Sequence, residues 1–97
     1  MTLLDILKEC PTPDLSSIEV WVIDYPAYDF KGDSNGIFLI SQPLGNSLEI
    51  ETLTLQEVVD FGKELGYSEE DTVLMCDYEM EDLKSFIWRG NKLILDF

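Results

Sequence analysis

The chain of 97 residues carries twenty acidic and six basic side chains, so its formal net charge is −14, and it contains no histidine. This length predicts one domain with a single core across residues 1–97, and the 45% hydrophobic fraction predicts a globular chain. The lack of histidine excludes Ser-His and Cys-His nucleophilic catalysis, and the acidic balance disfavours direct binding to nucleic acid or anionic membranes.

A short amphipathic helix is the first predicted element, at residues 3–9. Thr2 is a suitable N-cap, and Pro11 and Pro13 prevent the helix from continuing. Its apolar face consists of Leu3, Leu4, Ile6 and Leu7. We expect residues 1–13 to form either a docking helix or a loosely held arm beside a sheet and helix core at 18–97.

Residues 18–24, with the sequence IEVWVID, predict a strand, because they are rich in β-branched and aromatic residues and place Ile18, Val20 and Val22 on one side. Residues 25–36, YPAYDFKGDSNG, are expected to be a loop that ends in an Asn35-Gly36 turn. The turn leads into a strand at 37–40, and we expect this strand to pair antiparallel with the first. Residues 48–51 predict a further short strand.

The clearest local signal is the sequence Thr54-Leu-Gln-Glu57, a capping box that predicts the start of a helix over residues 55–65. Gly66 supplies the left-handed residue that ends such a helix. The apolar face of this main helix comprises Leu55, Val58, Val59, Gly62 and Leu65.

A third strand is predicted at residues 72–76, followed by a turn of helix within 77–83. Gly90-Asn91 indicates a hairpin that joins strands at 86–89 and 92–97. The expected fold is therefore α+β: one small domain with a mainly antiparallel sheet of four or five strands, the helix at about 55–65 packed on it, a short N-terminal helix and a C-terminal hairpin.

Basic residues are nearly excluded from the middle of the chain, where Lys63 is the only one between Lys31 and Lys84. A surface selected only for solubility intersperses both signs, so we interpret the acids as a functional negative surface. The candidates form three clusters with two tyrosine anchors: Glu57, Asp60 and Glu64; Glu69, Glu70 and Asp71; Asp77, Glu79, Glu81 and Asp82; and Tyr28 with Tyr78.

Cys10 and Cys76 are expected to be reduced thiols, with Cys76 in the core, and no cofactor or metal is expected. Asp33-Ser34-Asn35-Gly36 is similar to half of a calcium loop, but Lys31 and Gln42 stand where the loop needs acidic ligands, so we interpret it as a turn. A cytoplasmic protein is expected, because no apolar run reaches ~18 residues and the N-terminal segment lacks the basic and apolar regions of a secretory signal.

Two stretches resemble the N-terminal domain of the ArdA-type antirestriction proteins, which are phage- and plasmid-borne mimics of duplex DNA. The first is Val20-Trp-Val-Ile-Asp-Tyr-Pro-Ala-Tyr28 followed by Gly36-Ile-Phe-Leu. The second runs from the helix at 56–65 through Glu69-Glu70 to Asp77-Tyr78-Glu79. The resemblance covers about residues 18–80, and it implies a protein that displays carboxylates in place of phosphates.

Charge and resemblance together predict a DNA-mimic inhibitor of a bacterial DNA-binding defence enzyme, either a restriction-modification enzyme or a CRISPR effector. The alternative is an immunity protein or antitoxin that blocks a basic toxin such as a nuclease. A small carboxylate enzyme is the third class, and it would need an enclosed pocket with convergent acids. The expected partner is thus a basic protein, and a homodimer is left open.

Overall fold

Seven strands in two mixed sheets and two α-helices make up the described part of the computed structural model, which comprises residues 1–33, 36–41, 51–76 and 83–97. The α+β class, the main helix and the short N-terminal helix are as predicted. The strands are β1 (Glu19–Val22), β2 (Tyr25–Pro26), β3 (Asp29–Asp33), β4 (Gly36–Ile40), β5 (Leu74–Cys76), β6 (Ser85–Arg89) and β7 (Lys92–Asp96).

The four-stranded sheet has the order β2-β1-β7-β6. β1 and β7 run parallel, and the other two pairs are antiparallel. Val20 and Val22 point inward beside Leu93 and Leu95, and all four side chains are buried. Because side chains alternate along a strand, the residues between them lie on the outer face of this sheet.

The three-stranded sheet has the order β3-β4-β5, with β3 antiparallel and β5 parallel to β4. The central strand β4 is buried over Gly36–Leu39, as is typical of a strand covered on both faces. The chain passes from one sheet to the other at Ala27 and Tyr28. The amide of Ala27 donates to Val20 O at 2.9 Å, and that of Tyr28 donates to Ile40 O at 2.9 Å.

The predicted pairing of the first strand with residues 37–40 is wrong, because β1 lies between β2 and β7. The predicted single sheet is likewise divided in two, and the predicted loop at 25–36 contains β2 and β3. The first strand ends at Val22, since Ile23 adopts a left-handed φ of 53° that turns the chain back into β2. An isoleucine gives no sequence signal for such a turn.

The main helix α2 spans Leu55–Glu64, one residue shorter than predicted. Thr54 Oγ1 accepts the Glu57 amide at 3.2 Å, which confirms the predicted N-cap, and Gly66 has the expected left-handed φ of 83°. Leu55, Val58 and Val59 are buried. The Phe61 ring packs at a tilt against that of Phe30, with their centres 4.2 Å apart, so α2 covers the three-stranded sheet.

The N-terminal helix α1 spans Leu3–Lys8 and is docked against the core rather than loosely held. Leu3 and Ile6 are buried, at 1% and 0% exposure. The Leu3 amide donates to Thr72 O at 2.8 Å, and the Leu4 amide donates to Glu69 O at 3.0 Å. The first turn of α1 therefore finds backbone acceptors on the loop that precedes β5.

The closing hairpin of β6 and β7 is confirmed, and Gly90 takes the left-handed φ of 59° that its two-residue turn needs. The predicted strand at 72–76 is shorter, because Thr72 belongs to the preceding loop. Cys10 and Cys76 are unpaired, and Cys76 is half-buried rather than fully in the core. The expected strand at 48–51, the Asn35 turn position and the helical turn within 77–83 lie wholly or largely outside the described residues.

Candidate acidic binding surface

One face of α2 is a stripe of exposed carboxylates, formed by Glu57, Asp60 and Glu64. At 100° per residue these three positions fall within about 60° of each other, opposite the buried apolar stripe. Successive acids rise by roughly 4.5 and 6 Å along the helix axis. We call these three residues the α2 stripe.

Neighbouring side chains restrain two of the three carboxylates. Gln56 Nε2 donates to Asp60 Oδ1 at 3.0 Å, and Thr54 Oγ1 lies 3.4 Å from Glu57 Oε1. Glu64 stands in the last turn, where the helix dipole is unfavourable to a carboxylate by about 0.3 to 1 kcal/mol. Its neighbour Lys63 is exposed and is the only base on the helix.

The second predicted cluster, residues 69–71, lies in a loop that folds back against the end of α2. The Tyr67 amide donates to Gly62 O at 3.1 Å, and Thr72 Oγ1 donates to Ser68 O at 2.8 Å. Within the loop, Ser68 Oγ donates to Asp71 Oδ2 at 2.9 Å. Since the same loop accepts the α1 amides, its backbone is held by both helices.

The loop acids differ in their exposure. Glu70 and Asp71 are exposed, whereas Glu69 is half-buried and its Oε2 is enclosed, with no hydrogen-bond partner among the described residues. Tyr28, a predicted anchor, is half-buried at the crossover between the two sheets. Glu70 and Asp71 are therefore the members of this cluster best placed to meet a partner.

The third cluster and the second anchor, residues Asp77, Tyr78, Glu79, Glu81 and Asp82, lie outside the described residues. What the structure brings together is the α2 stripe and the loop after it, joined through the hydrogen bond from the Tyr67 amide to Gly62 O.

The outer face of the four-stranded sheet is a feature that the sequence reasoning did not single out. Ile23 is 52% exposed and Ile87 is 47% exposed. A depression of about 280 Å³ lies beside them, and it is open to solvent. Its lining includes Ile94, Arg89 and Asp96. The sequences of β6 and β7 contain a signal for this face, because each strand has apolar residues on both of its sides, so that some of them must face outward.

Lys92 and Trp21 occupy the part of the same face next to β1. Lys92 Nζ lies 4.3 Å from the centre of the Trp21 ring, a cation–π distance, and Trp21 Nε1 donates to Glu19 Oε1 at 3.0 Å. Trp21 is thus half-buried on this outer face.

No group of three or more Cys, Asp or Glu side chains is arranged to hold a metal ion in the part of the chain that the structure describes. Within the same residues, no helix is long and apolar enough to cross a membrane.

No protein-family model, curated protein or solved structure matches this chain. The likeness to the ArdA-type N-terminal domain rests on its motif residues alone.

Proposed function

We propose that this chain is an acidic DNA mimic that inhibits a bacterial DNA-binding defence enzyme, a restriction-modification enzyme or a CRISPR effector, in the cytoplasm. It acts by occupying the enzyme's basic DNA groove, and not by catalysis. The observation that carries this proposal is the α2 stripe of Glu57, Asp60 and Glu64, exposed on a helix whose opposite face is buried.

The arrangement of the stripe in a row supports a phosphate mimic. Phosphates of one DNA strand follow each other at ~3.4 Å along the duplex axis. The acids of the stripe follow at wider intervals, roughly 4.5 and 6 Å along the helix axis, and they present a row of negative charge to Lys and Arg side chains. Glu70 and Asp71 extend the negative surface past the end of α2.

Preorganisation favours binding over mere solubility. The Asp60 carboxylate is held by Gln56, and the Asp71 carboxylate is held by Ser68. Carboxylates that are already fixed lose less conformational entropy when a partner pairs with them. They also steer a basic partner from a distance and release the anions condensed on its groove, so binding should weaken as salt is added.

The test is capture of the target on the tagged chain from a bacterial lysate at low and high salt, followed by competition with duplex DNA. The test variant is Asp60→Lys/Glu64→Lys. Its matched control is Glu9→Lys/Glu51→Lys, which changes the net charge by the same amount at exposed acids away from α2. Circular dichroism checks that both variants fold.

The proposal expects capture of a DNA-binding enzyme. Added salt should weaken this binding, and duplex DNA should displace the enzyme. The test variant should lose the binding, and the control should retain it. Equal loss in both variants would assign the binding to net charge and overturn the proposal. Retention by the test variant would do the same. Capture of a toxin that the chain neutralises, with no competition from duplex DNA, would overturn the DNA-mimic function and support the alternative, an immunity protein.

A further inference from the structure

The strand β6 is an edge of the four-stranded sheet, with β7 on one side and no strand on the other among the described residues. Ser85, Ile87 and Arg89 are exposed along it. An open edge is a template for pairing with another strand, and proteins usually protect it with proline, inward charges or a bulge. The sequence of β6, SFIWR, has no proline and no acid, and its one charge points outward.

The backbone of β6 can accept a further antiparallel strand. Arg89 and Lys92 flank the two-residue turn and form the last pair of the ladder, which in such hairpins is a hydrogen-bonded pair. By alternation, Ile87 and Ser85 also direct their backbone groups toward β7. The N–H and C=O groups of Phe86 and Trp88 therefore point to the open edge.

The strand is complementary to itself about Ile87. In a two-fold antiparallel pair centred there, Ile87 meets its own copy and Phe86 meets Trp88. These last two residues carry the free backbone groups, so each Phe86–Trp88 pair can exchange two hydrogen bonds. Ser85 meets Arg89 in the same register, so no two like charges stand opposite each other.

On the outer face this pairing would extend an apolar row that already exists. The registers place Trp21 beside Ile94 and Ile94 beside Ile87. A second copy continues the row with its own Ile87, Ile94 and Trp21. Ile87, 47% exposed in the single chain, would then be covered from the side as well as from β7.

Charge complementarity supports the same register. Ser85 stands beside Asp96 across β6 and β7. Arg89 of the second copy falls opposite Ser85 and is therefore two strand spacings, about 10 Å, from Asp96. An extended arginine can reach the carboxylate over the small serine. Two such ion pairs form by symmetry, one at each end of the paired strands.

The occupant of this edge is best assigned to a second copy of the chain. Two chains of net charge −14 repel, and they can approach closely only where the local charge is small. β6 has no acid, and nearby the two cations Arg89 and Lys92 offset the two acids Asp24 and Asp96. A basic partner of the kind that the α2 stripe suits would instead meet these two cations.

We infer that the chain forms a two-fold homodimer by antiparallel pairing of β6, which joins the two four-stranded sheets into one of eight strands. This dimer does not rest on the proposed function. One strand pair with a single apolar row is a small interface, so the association is reversible and depends on concentration.

Light scattering after size exclusion, from micromolar to millimolar protein, tests the dimer. The mass of the wild type should rise from 11.1 kDa toward twice that value, 22.2 kDa. Ile87→Lys places two lysines opposite each other and should hold the mass at that of the monomer. The matched control is Tyr25→Lys, at a residue of similar exposure on the other edge of the sheet, and it should dimerise as the wild type does.

A cross-link tests the register. Ile87 faces its copy in a non-hydrogen-bonded pair, where the Cα atoms are about 4.5 Å apart, a distance that a disulfide can bridge. In a chain with Cys10→Ser and Cys76→Ser, Ile87→Cys should form a covalent dimer with oxidised glutathione. Ser85→Cys should not, since the two Ser85 positions are about 13 Å apart along the strands.

A wild type that stays at 11.1 kDa at every concentration would overturn the inference. So would a dimer that survives Ile87→Lys, or cross-linking by Ser85→Cys that equals that of Ile87→Cys.

Discussion

The docking of α1 can be tested through Ile6, whose side chain is fully buried. Ile6→Ala removes three carbon atoms at about 0.8 kcal/mol each, or roughly 2.4 kcal/mol of transfer free energy. The cavity that remains adds to this, and measured values for Ile→Ala in cores are about 2 to 5 kcal/mol. A six-residue helix is not stable alone, so α1 has no other source of stability than its contacts.

Thermal and urea unfolding, followed by circular dichroism, measure the effect. A loss of about 3 kcal/mol should lower Tm by roughly 12 to 24 °C, because each kcal/mol corresponds to about 4 to 8 °C in a domain of this size. Lys8→Ala is the control on the same helix: Lys8 is exposed, and the change should cost no more than about 0.5 kcal/mol.

Equal Tm values for Ile6→Ala and Lys8→Ala would refute the reasoning, because they would make α1 a loose arm. A second readout distinguishes local release of α1 from global destabilisation. If only α1 detaches, hydrogen exchange should speed up at the Leu3 and Leu4 amides and stay unchanged in β7.

Two further predictions concern the backbone at β4 and the charge on α1. In urea unfolding, Gly36→Ala should destabilise the fold by several kcal/mol, because Gly36 has φ 149° and a Cβ there would overlap the backbone oxygen of Val73. Gly66 has φ 83° with open space around it, so Gly66→Ala should cost only about 1 to 2 kcal/mol. Equal costs would contradict the close approach at Val73. The Thr2 amide donates to the Asp5 carboxylate at 2.8 Å, and this hydrogen bond lowers the pKa of Asp5 below its ordinary value of 3.8. The ionised carboxylate therefore stabilises the folded state above pH 3.8, and this contribution is lost as the pH falls through the lower folded pKa. Asp5→Asn should therefore have a lower Tm than the wild type at neutral pH, with a difference that narrows below pH 3.8; a constant difference would exclude this role.

The elements that the sequence predicted well are those that local chemistry decides. Thr54, Glu57 and Gly66 bracket α2 because capping needs only groups within a few residues. The Gly90-Asn91 hairpin is local in the same sense, and the structure has it where the sequence predicts it.

Strand pairing was not predictable, because it depends on partners far apart in sequence. β1 pairs with β7, more than seventy residues away, and the alternation of β1 is the same whichever partner it has. β3 was missed because its sequence, DFKGD, has a single strong strand former, Phe30, and a glycine. That strand exists because β4 lies beside it and Phe61 of α2 packs against Phe30.

The acidic site was predictable in part. The outward positions of Glu57, Asp60 and Glu64 follow from helical periodicity once the buried face is known. The half-buried state of Glu69 does not follow, since it depends on α1 docking against that loop. Sequence spacing predicts which acids share a helix face, and tertiary packing decides which of the others remain accessible.

The two proposed surfaces lie on different layers of the fold, which makes them separable. α2 covers the three-stranded sheet through Phe30 and Phe61, whereas β6 is an edge of the four-stranded sheet. Ile87→Lys should therefore leave the intrinsic affinity of one α2 stripe for a basic groove unchanged. If the target presents two grooves, the dimer would bind with an avidity above the affinity of one chain, and Ile87→Lys would remove only that excess. A change in single-site affinity on Ile87→Lys would instead mean that β6 contacts the target directly, and the assignment of its edge to a second copy would then fail.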